Sequence, residues 1–357
     1  MSRVYRNYRG RTPKWKIALA LLLVLVILAA LAVLAMQRYV VYDESGRPFF
    51  RLPERDAANP GPEAQPPSDS GSDDLELIIQ EPEKPEAPPA KAFSLPAGPL
   101  TQETWETARS QAGTDYNAVA VTLKDPEGLV YYDSETAVRR AVKTEADTME
   151  TLASITGEEE LYTIARFSCL LDPTASRVDV EGMGLKNTGG YIFYDGNYTA
   201  WLDPGKEAAR EYLCGLVREI AGLGFDEILL TDTGYPTKGK LNKINYNTDN
   251  PIEENLCLLW DALRTALEPY DVILSIELPE AVVAEGTEES SGLILDRAVG
   301  YADRIYAATE AERAESLSAL TLQAQGTAEK RTERFVPELT APSPLWEGDY
   351  LVLPQAG

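Results

Sequence analysis

From residue 92 onward, short apolar runs alternate with segments whose apolar positions recur at three and four. The runs Ala92–Leu95, Asn117–Lys124, Leu161–Ser168, Glu227–Asp232, Val272–Leu278, Asp303–Ala308, Phe335–Leu339 and Tyr350–Leu353 are rich in Val, Ile, Leu, Tyr and Phe, as buried parallel strands are. Helices are expected between them. One opens after a Thr101 cap and runs to about Ser110, and a second opens at Ser134 with Ala137, Val138 and Ala141 on its apolar side. A third spans Pro204–Leu223, with Ala208, Tyr212, Leu216, Val217 and Ile220 in helical spacing and glycines 222 and 224 to stop it. A fourth spans Pro251–Leu267.

Eight strands alternating with helices predict an α/β fold: a (β/α)₈ TIM-barrel-like domain over 92–357. It reads as incomplete at its C-terminal end. The stretch from Thr340 to Asp349 is too short and Pro-rich for a helix, and none follows the last strand. The competing architecture is an open doubly wound sheet, but neither a Gly-x-Gly-x-x-Gly run nor a phosphate-binding Gly-rich Lys-Ser/Thr loop is present.

The first 91 residues follow another pattern. Residues 1–16 are a basic tail, and Ile17–Met36 is an uncharged, mostly aliphatic run of 20 residues. As a helix that run spans about 30 Å, one hydrocarbon core. The basic flank predicts a single-pass anchor with its N-terminus in the cytoplasm and the rest extracytoplasmic, at the cell membrane. A cleaved signal peptide ending near Ala30-Leu31-Ala32 is the rival. Residues 37–91 read as a disordered linker: half of the 24 prolines lie between Pro48 and Pro99, mixed with acids, Ser and Gly. A strand-like run at 75–79 interrupts it.

Charge and composition narrow the chemistry. The formal net charge is −24, and residues 1–42 hold seven basic side chains and no acid, which leaves −31 for 43–357. So acidic a domain argues against nucleic acid. There is no histidine, which removes Ser-His-Asp hydrolases, Cys-His proteases and His-ligated zinc. Three cysteines, Cys169, Cys214 and Cys257, form no C-x-x-C pair and read as buried thiols. No cofactor and no metal is expected.

Several motifs carry a family resemblance. They are Asn117-Ala-Val-Ala-Val-Thr-Leu-Lys-Asp-Pro-Glu-Gly128, Ile164-Ala-Arg-Phe167 with Asp172-Pro173, Trp201-Leu-Asp-Pro204, and Gly224-Phe-Asp-Glu-Ile228 with Tyr235-Pro236. In order and spacing they resemble the bacterial "putative glycosyl hydrolase domain" family, over about residues 92–310. The resemblance implies a glycosidase-type TIM barrel tethered to the cell envelope. In such a barrel the chemistry sits at the C-terminal ends of the strands, here Lys124 and Asp125, Arg166, Thr231 and Asp232, Glu277, and Glu338. Glycoside hydrolysis needs two carboxyls. The resemblance implies Glu277 as acid/base, with Asp232 the second carboxyl, while Lys124, Asp125 and Arg166 orient sugar hydroxyls.

Two departures bear on activity. Thr122 and Thr231 stand where the family has acids, and Asp232 is one residue out of register, which in a regular strand turns it away from the barrel axis. A lost catalytic carboxylate follows unless a bulge restores the register. For Lys124 and Arg166 the alternative role is pairing with Asp125 and Asp172. Around Asp195-Gly196, read as a hairpin turn, lie Tyr191, Phe193, Tyr194, Tyr198 and Trp201. Tyr194 and Trp201 are candidate sugar-stacking residues, or else a lid packed on the barrel. The expected function is a membrane-anchored extracytoplasmic glycoside-hydrolase-like protein acting on or binding envelope polysaccharide. The alternative is a non-catalytic glycan- or protein-binding envelope protein.

Overall fold

The computed structural model describes residues 89–246, 250–324 and 332–354, together with the backbone of two short strands nearer the N-terminus. The expected basic tail, membrane span, 75–79 strand and most of the linker lie outside the described residues. Among the described residues no helix is long and apolar enough to cross a membrane. The chain divides into two units, 1–81 and 82–357. In the first, Val40–Tyr42 pairs antiparallel with Pro48–Phe50.

The second unit is a closed barrel of eight parallel strands in sequential order. They are β1 (Lys91–Ser94), β2 (Ala118–Lys124), β3 (Tyr162–Ser168), β4 (Glu227–Thr231), β5 (Ile273–Glu277), β6 (Arg304–Ala308), β7 (Arg334–Leu339) and β8 (Tyr350–Val352). All eight expected strands form, within a residue or two of their expected bounds. The ring shuts completely, because Leu351 of β8 pairs with Ala92 of β1. What is missing from the C-terminal side is helix: none joins β7 to β8, and none follows β8 among the described residues.

Side chains on the strands sort into two sets. Ala92, Ala118, Ala120, Ile164, Leu229, Tyr306, Val336 and Leu351 form a core of their own inside the barrel. The complementary positions, such as Val119, Ala165, Ile228, Leu274 and Ile305, pack outward against the helices. This two-residue period defines which strand-end residues face the lumen.

The helices follow sequence logic. In α1 (Gln102–Ala112) Thr101 and Thr104 form a reciprocal capping box, and Trp105 is the buried residue. The others longer than four residues are α2 (Thr148–Thr156), α3 (Glu207–Gly222), α4 (Ile252–Leu267), α5 (Glu280–Glu285) and α6 (Ala311–Gln323). The helix expected at Ser134 does not form. The Glu219 carboxylate of α3 instead accepts hydrogen bonds from Ser134 Oγ, the Glu135 and Thr136 amides and Thr136 Oγ1. Those groups bond across to another element and hold a loop.

The β8–β1 seam is cross-pinned. Ala90 N donates to Asp349 Oδ1 at 2.7 Å, and Asp349 Oδ2 pairs with Arg334 at 2.9 Å. Asn117 holds the other side, accepting from Lys91 N and donating to the Pro89 carbonyl.

Candidate active site

The two-residue period brings four inward-facing positions to the C-terminal end of the lumen. Register carries it from strand to strand: Thr122 pairs with Arg166, Ser168 with Thr231, Tyr306 with Glu277, and Ala308 with Glu338. Arg166 of β3, Thr231 of β4, Glu277 of β5 and Glu338 of β7 therefore project to one side of the sheet.

Arg166 is the hub. Its Nη2 donates to Glu277 Oε2 at 2.8 Å, and its Nη1 lies 3.1 Å from Glu338 Oε1. The second contact is close enough for an ion pair but is not aligned as a hydrogen bond, so Glu338 Oε1 is buried without one. Exposure separates the two acids: the Glu277 side chain is 28% exposed and that of Glu338 is 2% exposed. A solute reaching the mouth meets Glu277. Because the two carboxyls share one planar guanidinium, their bonded oxygens are less than about 10 Å apart, the outer limit for glycosidase carboxyl pairs.

Burial pushes the Glu277 carboxyl up to about 8, with further upward pressure from the Glu338 and Asp232 charges, against a downward pull from Arg166. Burial also raises Glu338, again opposed by Arg166. One guanidinium cannot neutralise two carboxylates, and their mutual repulsion favours keeping a proton on the pair.

Asp232 reaches the site by a backbone turn. β4 ends at Thr231, whose side chain has the inward parity. Asp232 then takes φ +51°, a left-handed conformation uncommon outside glycine. Its Oδ2 accepts hydrogen bonds from Ser168 Oγ at 2.7 Å and Thr231 Oγ1 at 3.2 Å. The regular-strand expectation that Asp232 faces away from the axis is thus replaced: the turn aims it at the end of β3, near enough to act on Glu277.

Lys124 and Asp125 go elsewhere. The β2–β3 pairing slips by one between Thr122 and Lys124, so Lys124 pairs with outward-facing Phe167. Its fully buried ammonium lies 3.1 Å from Asp172 Oδ2, donates to the Ser168 carbonyl and sits over the Phe167 ring. Asp125 accepts from the Glu127 and Leu129 amides and from the Tyr131 hydroxyl, closing the turn after β2. Neither joins the Arg166 cluster. Lys124 takes the Asp172 partner named as its alternative, and Arg166 pairs with glutamates instead.

The β3-to-α3 excursion carries the aromatic residues. Asp195 organises a tight turn rather than a two-stranded hairpin: Oδ1 accepts from the Asn197 and Thr199 amides, and Oδ2 from Trp201 Nε1. Trp201 is half-buried, and Tyr194 is exposed with the Arg177 guanidinium over its ring. Tyr191 and Tyr198 are 75% and 85% exposed, the latter at φ +60°. All three cysteines are buried and free, and no cluster of potential metal ligands occurs among the described residues.

A closed parallel barrel with two carboxyls on one arginine at the C-terminal ends of its strands is glycosidase-like. Residues 100–306 match the family described as "Putative glycosyl hydrolase domain", and the chain belongs to that family. β7, with Glu338, lies beyond the matched residues. Among solved structures, the PgaB (BpsB) glycoside hydrolase domain from Bordetella bronchiseptica is 14% identical, with a TM-score of 0.51 over 75% of this chain and 94% of that one. That likeness is one of fold. A hypothetical protein from Ruminiclostridium thermocellum is 25% identical, with a TM-score of 0.44 over 52% of this chain and 96% of that one. The α-galactosidase TtGalA from Thermus thermophilus is 15% identical, with a TM-score of 0.40, covering 65% of this chain and 45% of its own. None of the curated proteins matches the chain.

Proposed function

We propose that this protein is a glycoside hydrolase of envelope polysaccharide, with Glu277 as proton donor and Asp232 as the second carboxyl. The observation that carries the reading is the place of Glu277: reachable at the mouth, bonded to Arg166 and sharing that guanidinium with Glu338, with burial and neighbouring acids pushing its carboxyl up. An acid of that kind protonates a glycosidic oxygen as the C–O bond breaks. Asp232, fixed by two hydroxyl donors, then answers the positive charge that develops at the anomeric carbon. Water supplies the hydroxyl of the product and returns a proton to Glu277. The purified chain is to be assayed against bacterial wall and exopolysaccharide fragments. Turnover abolished by Glu277→Gln, with glycan binding kept, supports the assignment.

One observation favours a second reading. Thr122 and Thr231 place hydroxyls, where the family pattern has acids, on the lumen side of β2 and β4. A domain that binds glycan without cleaving it follows if the wild type binds the same fragments and releases no reducing ends.

Anchoring belongs to the same proposal. The uncharged run of 20 residues after a basic tail supports a single-pass anchor with the barrel outside the cytoplasmic membrane. Protease added to intact protoplasts is expected to digest the barrel. Protection of the barrel, or its full release into the medium, overturns this.

A further inference from the structure

Three features fix the relation between Arg166, Glu277 and Glu338. Glu338 is almost fully buried, flanked in register by Ala308 and Leu351, so substrate cannot touch it. Its Oε1 stands 3.1 Å from Arg166 Nη1 yet accepts no hydrogen bond, whereas Glu277 receives an aligned one from Nη2. The two acceptors sit on different nitrogens of one guanidinium, 2.8 Å and 3.1 Å away. The cation therefore has two competing acceptors, one solvent-reachable and one sealed.

We propose that Glu338 is a positioning residue: it is the alternative partner of Arg166, and by drawing the guanidinium away it leaves Glu277 free to carry the proton. The proposal rests on the assignment of Glu277 as proton donor.

A carboxylate bonded to arginine is a poor acid catalyst, because the cation stabilises the charged form that must not predominate. Glu338 resolves this in two ways. As a buried anion it satisfies Arg166 when Glu277 is protonated, and its charge opposes ionisation of Glu277. When Glu277 has given up its proton, Arg166 swings back and the new carboxylate is met by a cation. The proton leaves for the glycosidic oxygen and returns from water, so no other reactant is needed. The charged groups facing Glu277 are Arg166 from β3, Asp232 at the end of β4 and Glu338 from β7, while Tyr306, its register partner on β6, turns its hydroxyl to Glu227.

The test reads protonation directly. The full chain is labelled with ¹³C at the glutamate side-chain carboxyls, and the Glu277 resonance is assigned by its loss in Glu277→Gln. In the wild type this resonance titrates in two coupled steps, the later one near pH 8. In Glu338→Gln it titrates in a single step at least about one pH unit lower, and Glu338→Asp restores part of the shift. In the turnover assay the alkaline limb of the pH profile moves by the same amount, with KM unchanged. An unmoved Glu277 titration in a folded Glu338→Gln variant overturns the proposal, as does a raised KM with an unmoved limb. Should the variant fail to fold, the wild type decides: one independent step below pH 6 for Glu277 is equally fatal. If the titration behaves as stated and no glycan is cleaved, the hydrolase reading falls and the Arg166 exchange stands.

Discussion

The barrel lumen holds an arginine–glutamate cluster at each end, and the two are built to opposite rules. At the N-terminal end Glu227 of β4 is fully buried, pairs with Arg304 of β6 at 2.7 Å and accepts the Tyr162 hydroxyl at 2.8 Å. Arg304 also lies over the Tyr162 ring, and the three side chains plug the barrel floor. One cation meets one anion there, and solvent is shut out. At the C-terminal end one cation meets two carboxyls, a third stands near, and one member is reachable. Residue types are the same; stoichiometry and access differ. A balanced, sealed pair has nothing left to give, whereas an unbalanced, open one holds a transferable proton.

The comparison can be broken most directly by matched substitutions. Glu277→Gln is expected to lower turnover about 10²–10⁴-fold, the contribution of a positioned general acid, while the urea midpoint measured near pH 4.5, where the folded wild type holds Glu277 protonated, barely moves. Glu227→Ala should behave the other way. It leaves Arg304 buried without its anion, and an equilibrium urea melt is expected to show a loss of about 3–5 kcal/mol. A Glu227→Ala protein as stable as the wild type would mean that the floor pair is not the structural one.

A smaller effect sharpens the contrast through pH. The Glu277 carboxyl is raised from 4.5 to about 8 in the folded chain. Below about pH 4.5 it is protonated in both states and contributes no difference. Between these values the folded chain holds more protons than the unfolded one, so its stability falls as pH rises. Melting temperatures measured from pH 5 to 9 should therefore decline more steeply in the wild type than in Glu277→Gln. The smallest expected change is in Asp232→Asn, where Glu277 titrates lower than in the wild type but by less than in Glu338→Gln. A larger shift from Asp232 would move the controlling anion from β7 to the end of β4.

The walls of this barrel were far more legible from sequence than its floor or its mouth. Strands buried on both sides read as continuous apolar runs, which is how all eight stand out between the helical segments. The capping threonines of α1 and the apolar stripe of α3 are equally local signals. The mouth depends on departures from periodicity. Lys124 counts as inward by simple alternation from Ala118, and a slip of one residue in the β2–β3 pairing turns it outward onto Asp172. Asp232 counts as outward, and a left-handed backbone turn brings it back. Neither event has a glycine or proline at the position to announce it. Ser134 carried a helix-start signal, but Glu219, 85 residues away, captured it. Glu277 and Arg166 were visible as strand-end residues. That Glu338 completes their cluster was not, because only barrel closure brings β3, β5 and β7 around one lumen.

The pinned seam between β8 and β1 has a consequence for how the molecule comes into being. Ala90 and Asp349 are 259 positions apart, and the hydrogen bond between them ties together what is made early and what is made late. A growing chain that has extruded β1 through β7 still presents two open sheet edges, each a template for pairing with another copy. Only the arrival of three residues, Tyr350–Val352, removes both edges at once. Vectorial synthesis therefore leaves the barrel vulnerable until the codons for β8 are read, and a stop within those codons would release an adhesive sheet rather than a closed barrel.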